Sequence, residues 1–259
     1  MRKKGAILFT VVDLKNEKKT KTQRFFNYFK KANVKIKETE VPFGKSFFIS
    51  EAEIHRGKIP WKEIKESSES ENFILPFELK ENAPIKEFEP KILPQRMLFN
   101  SALDYIEKLN LPPTKTRFTL VDPKGVLIES LTPVLKLASL ITVITKKEQE
   151  YTELSDRLFE AYGISLMIRS AYHETKRENS FLFDYKGEGI PLSYKGTAFS
   201  KEKKHLLNGK TLTPGGFNLP PEYENLWRKN TDKLQFASAL YELSGVKALG
   251  NIRFNELCS

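Results

Sequence analysis

The stretch "RFTLVDPKGVLIESLTPVLKLASLITVITKKEQEYTELSDRLFEAYGISLMIRS" (residues 117–170) determines the predicted fold. Its three β-favouring runs are 118–121, 140–145 and 164–170, and helical patterns at 130–139 and 148–162 separate them. Strands that alternate with helices pair in parallel through right-handed crossovers. The alternation therefore predicts an α/β domain with a doubly wound, mainly parallel sheet.

Two residues determine where the predicted helices begin and end. Pro133 is tolerated only in the first turn of a helix, so we expect the first helix to begin near Ser130. Gly163 follows the apolar face of the second helix, and we expect it to end that helix as the C′ glycine.

The residues outside this stretch predict a second, smaller domain. Residues 1–92 contain several strand-like runs separated by polar loops, which favours a small β-rich or α+β domain. The three prolines within 81–94 are typical of a linker. We expect residues 93–259 to form the α/β domain, which is loop-rich after Gly187 and ends in a helix at 231–244.

The excess of basic residues is concentrated near the start of the sequence. The formal net charge is +10, from 43 Lys and Arg against 33 Asp and Glu. Residues 1–37 contain twelve of the basic residues and only two acids, so the rest of the chain is balanced. Aromatic residues such as Phe25, Phe26 and Tyr28 lie among these lysines, which suits nucleic acid or another acidic partner. The alternative is an aromatic core beneath a solvated basic surface.

The cysteine content and the apolar runs bear on the compartment. The one cysteine, Cys258, is penultimate, where we expect a tail residue rather than a nucleophile. No run approaches the roughly 18 apolar residues of a spanning helix, and the apolar run at 5–12 lacks a signal-peptide cleavage site. We therefore expect a cytoplasmic protein with no membrane association.

The predicted strand ends supply the candidate ligand-binding residues, because open parallel sheets bind ligands beyond the carboxyl ends of their strands. A fourth strand is predicted at 180–185, and the candidates at or just after the four strand ends are Asp122, Lys124, Gly125, Thr145, Lys146, His173 and Asp184. Lys124, Lys146 and Lys147 supply positive charge for a small anionic or nucleotide ligand. The three histidines match no metal-binding spacing, so we expect no metal site among them.

The strand–helix alternation of 117–170 resembles that of Rossmann dehydrogenases in its supersecondary pattern. The resemblance implies an NAD(P) cofactor whose pyrophosphate lies against a glycine-rich turn after the first strand. Here that turn is Asp122-Pro123-Lys124-Gly125, which has one glycine where the fingerprint has three. NAD(P) binding is therefore an alternative and not the leading expectation.

The same turn, within "LVDPKGVLIES" (120–130), resembles the first motif of haloacid-dehalogenase-type phosphatases. The resemblance implies that Asp122 is a nucleophile, that the Thr145 hydroxyl binds phosphate and that Mg²⁺ assists the reaction. Lys124 stands where that family has its second acid, which reverses the charge at this position. The turn also fits a structural function, in which Asp122 caps it and Pro123 fixes φ.

Together these patterns favour a Rossmann-like protein that binds a ligand or partner without performing chemistry, with an anionic ligand at the carboxyl ends of the strands. One alternative is a divergent NAD(P)-dependent or phosphoryl-transfer enzyme. A second alternative is polyanion or nucleic-acid binding through residues 1–37. Catalytic residues are not assigned, and a nucleophile elbow is disfavoured because the sequence contains no G-x-S-x-G motif.

Overall fold

The computed structural model describes residues 6–14, 33–42, 47–55, 59–171, 179–244 and 247–259. The chain divides into two compact units, one built from 1–93 with 219–249 and the other from 94–218 with 250–259. In chain order the helices and strands are β1 (Ala6–Leu14), β2 (Asn33–Glu40), β3 (Phe47–His55), α1 (Trp61–Ser67), β4 (Phe73–Ile74), α2 (Leu93–Lys108), β5 (Arg117–Val121), β6 (Leu140–Ile144), α3 (Glu148–Tyr162), β7 (Met167–Arg169), β8 (Ser180–Asp184), β9 (Thr197–Phe199), β10 (Lys210–Pro214), α4 (Pro221–Glu224), α5 (Lys233–Ser244) and β11 (Leu257–Cys258).

The first unit contains a mixed sheet with the strand order β2-β3-β1-β4 among the described residues. β1 is parallel to both β3 and β4, whereas β2 is antiparallel to β3. Alternate residues point to opposite faces of a strand, and Val12, Ala52 and Ile54 form one apolar face with Ile64 of α1. The sequence prediction of a small unit containing strands at the start of the chain agrees with this sheet.

The second unit contains a sheet with the strand order β11-β10-β9-β8-β5-β6-β7 among the described residues. Every neighbouring pair is parallel except β10 and β11. Counted from β5 as the first strand, the parallel strands run 3-2-1-4-5-6, which is the order of the Rossmann fold. The predicted Rossmann-like α/β fold is therefore confirmed, and the strand order reverses between β5 and β8.

Aromatic side chains form the centre of the second unit. Phe99 of α2 packs edge-on against Phe118 of β5 and Phe183 of β8, with ring centroids 5.9 and 5.2 Å apart. All three side chains are fully buried. Edge-to-face packing of buried rings adds about 1 kcal/mol per pair beyond the burial of area. This core fixes the position of β5 and β8, whose carboxyl ends lie at the strand-order reversal.

The segment 219–249 belongs to the first unit, which differs from the expectation that 93–259 forms one domain. The predicted C-terminal helix is present as α5, but its Phe236 packs edge-on against Phe9 of β1. The Ile92 N–H donates to Glu242 Oε1 of α5 over 2.8 Å. Sequence periodicity indicates which face of a helix is apolar and not which sheet the helix covers. The inclusion of 219–249 in the first unit was therefore not predictable from the sequence.

The predicted helix at 130–139 is wrong. The structure has 3₁₀ turns at Ile128–Ser130 and Thr132–Lys136 instead. Pro133 has no N–H to donate, and β6 begins at Leu140, so few residues remain in which to close α-helical turns. The connection between β5 and β6 therefore contains no long helix.

The region after Gly187 was expected to be loop-rich, but it contributes β9, β10 and β11 to the second sheet. β9 is three residues long, and Gly196 and Gly209 immediately precede β9 and β10. Such short runs beside glycine resemble loops in sequence.

α3 does end at Gly163 as predicted, with the Gly163 N–H donating to the Phe159 carbonyl. No helix in the described part of the chain is long and apolar enough to cross a membrane.

Candidate functional site

The turn after β5 is built around the buried carboxylate of Asp122. The Val126 N–H donates to Oδ1 over 3.0 Å, and the Leu127 N–H donates to Oδ2 over 2.8 Å. The Tyr151 hydroxyl of α3 also donates to Oδ2, over 2.7 Å. Both carboxylate oxygens are thus bound by donors from the protein itself. Reaction of Asp122 with a substrate would require these hydrogen bonds to break.

Tyr151 is a fully buried donor in this turn. Burial raises the pKa of its hydroxyl above the usual value, and the negative charge and hydrogen bond of Asp122 raise that pKa further. The hydroxyl therefore stays protonated at neutral pH and donates a hydrogen bond to the carboxylate. The sequence predicted that Tyr151 faces inward from α3, but periodicity gives no information about its hydroxyl partner.

The Thr145 hydroxyl connects the β5 turn with the end of β6. It donates to the Asp122 carbonyl over 2.8 Å and accepts the Lys147 N–H over 2.9 Å. Thr145 is buried, and the chain uses both functions of its hydroxyl. Thr145 thus fixes the beginning of α3 relative to the β5 turn.

Gly125 completes the turn. It has a φ of +72°, and its N–H donates to the Asp122 carbonyl over 3.3 Å. A Cβ at this position would lie 2.9 Å from Ile128 Cδ1 and 3.4 Å from Lys147 Cγ. Glycine is therefore required by the turn conformation and by the packing around it.

This turn differs from a dinucleotide-binding turn in how its amides are used. A pyrophosphate lies against free N–H groups at the beginning of a helix after the first strand. Here the N–H groups of Val126 and Leu127 point at Asp122, and 3₁₀ turns follow. The protein's own carboxylate binds the amides that would otherwise be available to an external anion.

Asp184 at the end of β8 is bonded in a similar way. It pairs in register with Val121, the last residue of β5, so it lies at the strand-order reversal. Its Oδ2 accepts the Gly189 N–H over 2.7 Å, and its carbonyl accepts the Gly187 N–H over 2.9 Å. The strands on either side of the reversal thus both lead into a buried aspartate that is bound to its own loop.

Three cations lie at the ends of neighbouring strands on the β7 side of the reversal. Lys124 and Lys146 are exposed after β5 and β6, and Arg169 is half-buried at the end of β7. The register pairs Ile144 with Arg169, and the Thr145 N–H donates to the Arg169 carbonyl. None of these three side chains forms an ion pair with a described residue. In contrast, Lys147 is paired with Glu150 over 2.7 Å.

A pocket of about 570 Å³ opens beside Arg169. Its lining residues come from the first turns of α3 and from the end of β7: Glu148, Thr152, Ile168, Arg169, Ser170 and Ala171. A volume of this size is typical of small-molecule sites, which span about 300–1,000 Å³. The lining combines one guanidinium with serine and threonine hydroxyls, and Glu148 is the acid among these residues.

The structure thus separates the predicted site residues into two sets. Asp122, Gly125 and Thr145 come together and bond to one another, and Asp184 lies beside them. Lys124 and Lys146 lie on the cationic part of the same edge. The remaining candidate, His173, lies outside the described residues. Sequence reasoning missed Arg169 as a candidate, although a cation at the end of a predicted parallel strand was a usable signal.

A second charged cluster lies in the first unit. Arg228 binds both oxygens of Glu51, at 2.6 Å from Nε and 2.5 Å from Nη2. Its Nε is also 3.8 Å from Asp13. The hydrogen bonds that Arg228 donates to Glu51 raise the pKa of Arg228. The pair joins the segment 219–249 to β3.

No group of three or more His, Cys, Asp or Glu among the described residues is arranged to hold a metal ion.

The predicted partner surface at residues 1–37 stays a prediction, since most of its cations lie outside the described residues. Two that are described, Lys35 and Lys37, are exposed on β2. Lys37 Nζ is bonded to Glu53 over 2.6 Å. The aromatic residues Phe25 and Phe26, on which the alternative core interpretation depends, are also outside the described part of the chain.

Comparisons with known proteins add little to this description. Neither the protein-family models nor the curated proteins include a match to this chain. Among solved structures, one match is a shikimate 5-dehydrogenase-like protein, with 9% sequence identity and a TM-score of 0.31 over 96% of each chain. The Rossmann-like fold is evident from the order of the parallel strands and not from this match.

Proposed function

We propose that the second unit binds a small anionic ligand at the carboxyl edge of its sheet, beside Arg169, without covalent chemistry. The observation that carries the proposal is the Arg169 side chain, which lines a pocket of about 570 Å³ and forms no ion pair with a described residue. A guanidinium binds carboxylate and phosphate groups through two parallel hydrogen bonds.

The charge distribution along this edge supports the same location. Lys146 follows β6, the strand that pairs with β7, so its charge adds to that of Arg169 at neighbouring strand ends. The two aspartates near the reversal, Asp122 and Asp184, are bound by backbone N–H groups. The charges of Arg169 and Lys146 thus favour an anion on the β7 side of the edge, where Glu148 is the one acid of the pocket lining, and the carboxylates of Asp122 and Asp184 repel an anion at the reversal.

The hydrogen bonds of the β5 turn support binding without catalysis. A nucleophilic carboxylate has to reach its substrate, but Asp122 is buried and accepts three hydrogen bonds from the protein. The Thr145 hydroxyl is bonded as both donor and acceptor, so it has no free proton for a phosphate. The proposal therefore assigns no reaction step to either residue.

Thermal unfolding with a panel of anions tests the proposal. The panel contains inorganic phosphate, a nucleoside monophosphate, NADP⁺ and succinate, each measured with the native chain, Arg169→Gln and Lys136→Gln. Lys136 is exposed outside the pocket and provides a matched loss of one charge. We expect at least one anion to raise the melting temperature of the native chain and of Lys136→Gln, and not that of Arg169→Gln. Equal stabilisation of Arg169→Gln, or no stabilisation by any of the four anions, would contradict the proposal.

A further inference from the structure

A second pocket, of about 540 Å³, lies at the opposite edge of the same sheet, where β8, β9 and β10 begin. Its floor includes Phe181, Thr197 and Lys210, which are in register across the three strands. The last turn of α2 and the residues after it supply the adjoining wall. Open parallel sheets bind ligands at their carboxyl ends, so the strand order does not account for a pocket at this edge.

Two glycines allow the chain to cross closely at this pocket. A Cβ at Gly196 would overlap the Ser180 carbonyl oxygen. A Cβ at Gly209 would lie 2.5 Å from the Tyr194 carbonyl oxygen and 2.6 Å from that of Gly196. The two crossings bring the loops before β9 and β10 together. Lys195 lies next to Gly196 in the first loop, and Lys210 follows Gly209 as the first residue of β10.

The two lysines give the pocket a positive charge. Lys195 and Lys210 both line it, and no Asp or Glu is among its lining residues. Lys195 is exposed and forms no ion pair with a described residue. Lys210 Nζ donates to the Tyr105 hydroxyl over 2.5 Å and lies 5.1 Å from the centre of the Tyr105 ring. The rim also contains the side-chain amides of Asn179 and Asn208.

The wall beside this rim is aromatic and apolar. It includes Tyr105, whose ring packs edge-on against Phe199 at a centroid distance of 5.7 Å. Leu109, which is 42% exposed, and Leu111 extend the wall towards solvent. An apolar wall beside a cationic rim matches ligands that have a flat body and an acidic group, since pockets bury the body and orient it through a few polar groups.

We propose that this pocket is a second binding site, for a planar organic anion such as an aromatic carboxylate, sulfonate or phosphate monoester. The ring of the ligand lies against Tyr105 and Leu109, and its acidic group lies between Lys195 and Lys210. The site is separate from the one beside Arg169, because it lies at the other edge of the sheet and shares no lining residue with it.

The test is a titration of the ¹⁵N-labelled full chain with 1-naphthalenesulfonate, followed through the backbone amides. We expect saturable shifts at Gly196 and Gly209, and smaller effects from methanesulfonate, which lacks the ring. Each exposed charge pair contributes modestly to binding, so Lys195→Gln with Lys210→Gln is expected to weaken binding about tenfold. Lys136→Gln, with a matched charge loss outside the pocket, is expected to change the affinity less than about twofold.

Three outcomes would overturn the proposal: unchanged affinity in the double variant, shifts confined to Ser170 and Ala171 at the other edge, and the absence of saturable shifts. If the double variant does not fold, Lys195→Gln replaces it, because this side chain is exposed and forms no ion pair with a described residue. The single variant is expected to weaken binding about threefold, and an affinity equal to that of Lys136→Gln would overturn the proposal in the same way.

Discussion

The Tyr151 hydroxyl donates a 2.7 Å hydrogen bond to the Asp122 carboxylate, and both side chains are fully buried. This bond joins α3 to the turn after β5. Two backbone N–H groups complete the set of donors around Asp122, so the carboxylate is satisfied without a ligand. The residue that most resembled a catalytic group in sequence is therefore bonded within its own turn, and we propose that the cations along the same edge bind an anion.

Replacement of Asp122 tests the structural function. Asp122→Ala leaves the Val126 and Leu127 N–H groups and the Tyr151 hydroxyl without their acceptor in a buried turn. Hydrogen bonds to charged groups contribute about 1.5–3 kcal/mol each, so we expect the free energy of unfolding in urea to fall by at least about 3 kcal/mol. The exposed acid Asp156 of α3 provides the control, and we expect Asp156→Ala to change this free energy by less than about 0.5 kcal/mol. Equal stability of the two variants would show that the turn does not depend on Asp122.

The pKa of Tyr151 predicts a loss of stability in alkali. The folded state raises this pKa above its usual value of 10.0, so the unfolded chain releases the proton first as the pH rises. The stabilising contribution is therefore complete below pH 10 and declines above it. Tyr151→Phe is expected to be less stable at pH 7, because the hydrogen bond is lost, and to lose stability less steeply between about pH 9 and pH 11.

Urea unfolding as a function of pH measures this slope. Tyr162→Phe is the matched control, because Tyr162 lies on the same helix and is 59% exposed. We expect the control to retain the slope of the native chain. Parallel profiles for Tyr151→Phe and the native chain would mean that Tyr151 ionises at its ordinary pKa in the folded state.

The strands and the helix at the centre of the second unit could be predicted from the sequence, but the 3₁₀ turns and the short strands β9 and β10 could not. β5, β6 and α3 have strong periodicity, and they are present where predicted. The prediction of a helix at 130–139 was wrong, because apolar spacing does not distinguish an α-helix from 3₁₀ turns near Pro133. The strands β9 and β10 were not predicted from the sequence, because glycines precede them and their runs are short.

The location of the candidate site could likewise be predicted from the sequence, but its hydrogen bonds could not. The location at the carboxyl edge follows from parallel pairing, so Lys124 and Lys146 could be placed there from the sequence. Hydrogen-bond partners depend on three-dimensional geometry, so the donors that satisfy Asp122 could not be predicted. Arg169 ends a run that the sequence did predict as a strand, so its place at the carboxyl edge could also be predicted from the sequence.

The largely buried ion pair between Arg228 and Glu51 is expected to contribute more to the free energy of unfolding than an exposed ion pair in the first unit. The Glu51 side chain is 8% exposed and that of Arg228 is 33% exposed. Loss of one partner of a buried pair is costly, and partial exposure reduces the cost, so we expect Glu51→Gln to lower the free energy of unfolding by about 2 kcal/mol. The control is Glu66→Gln, which removes an exposed pair with Lys62 and is expected to cost less than about 0.5 kcal/mol in the same urea measurement. Similar costs for the two variants would contradict the expected contribution of the buried pair.

We propose that an anion binds beside Arg169 and not at the β5 turn. The most direct measurement is an amide-resolved NMR titration of the native chain with inorganic phosphate. We predict saturable shifts at Glu148, Ser170 and Ala171, with no shift at Val126 and Leu127, whose N–H groups are bound to Asp122. Saturable shifts at Val126 and Leu127, or no saturable shift around Arg169, would contradict the claim.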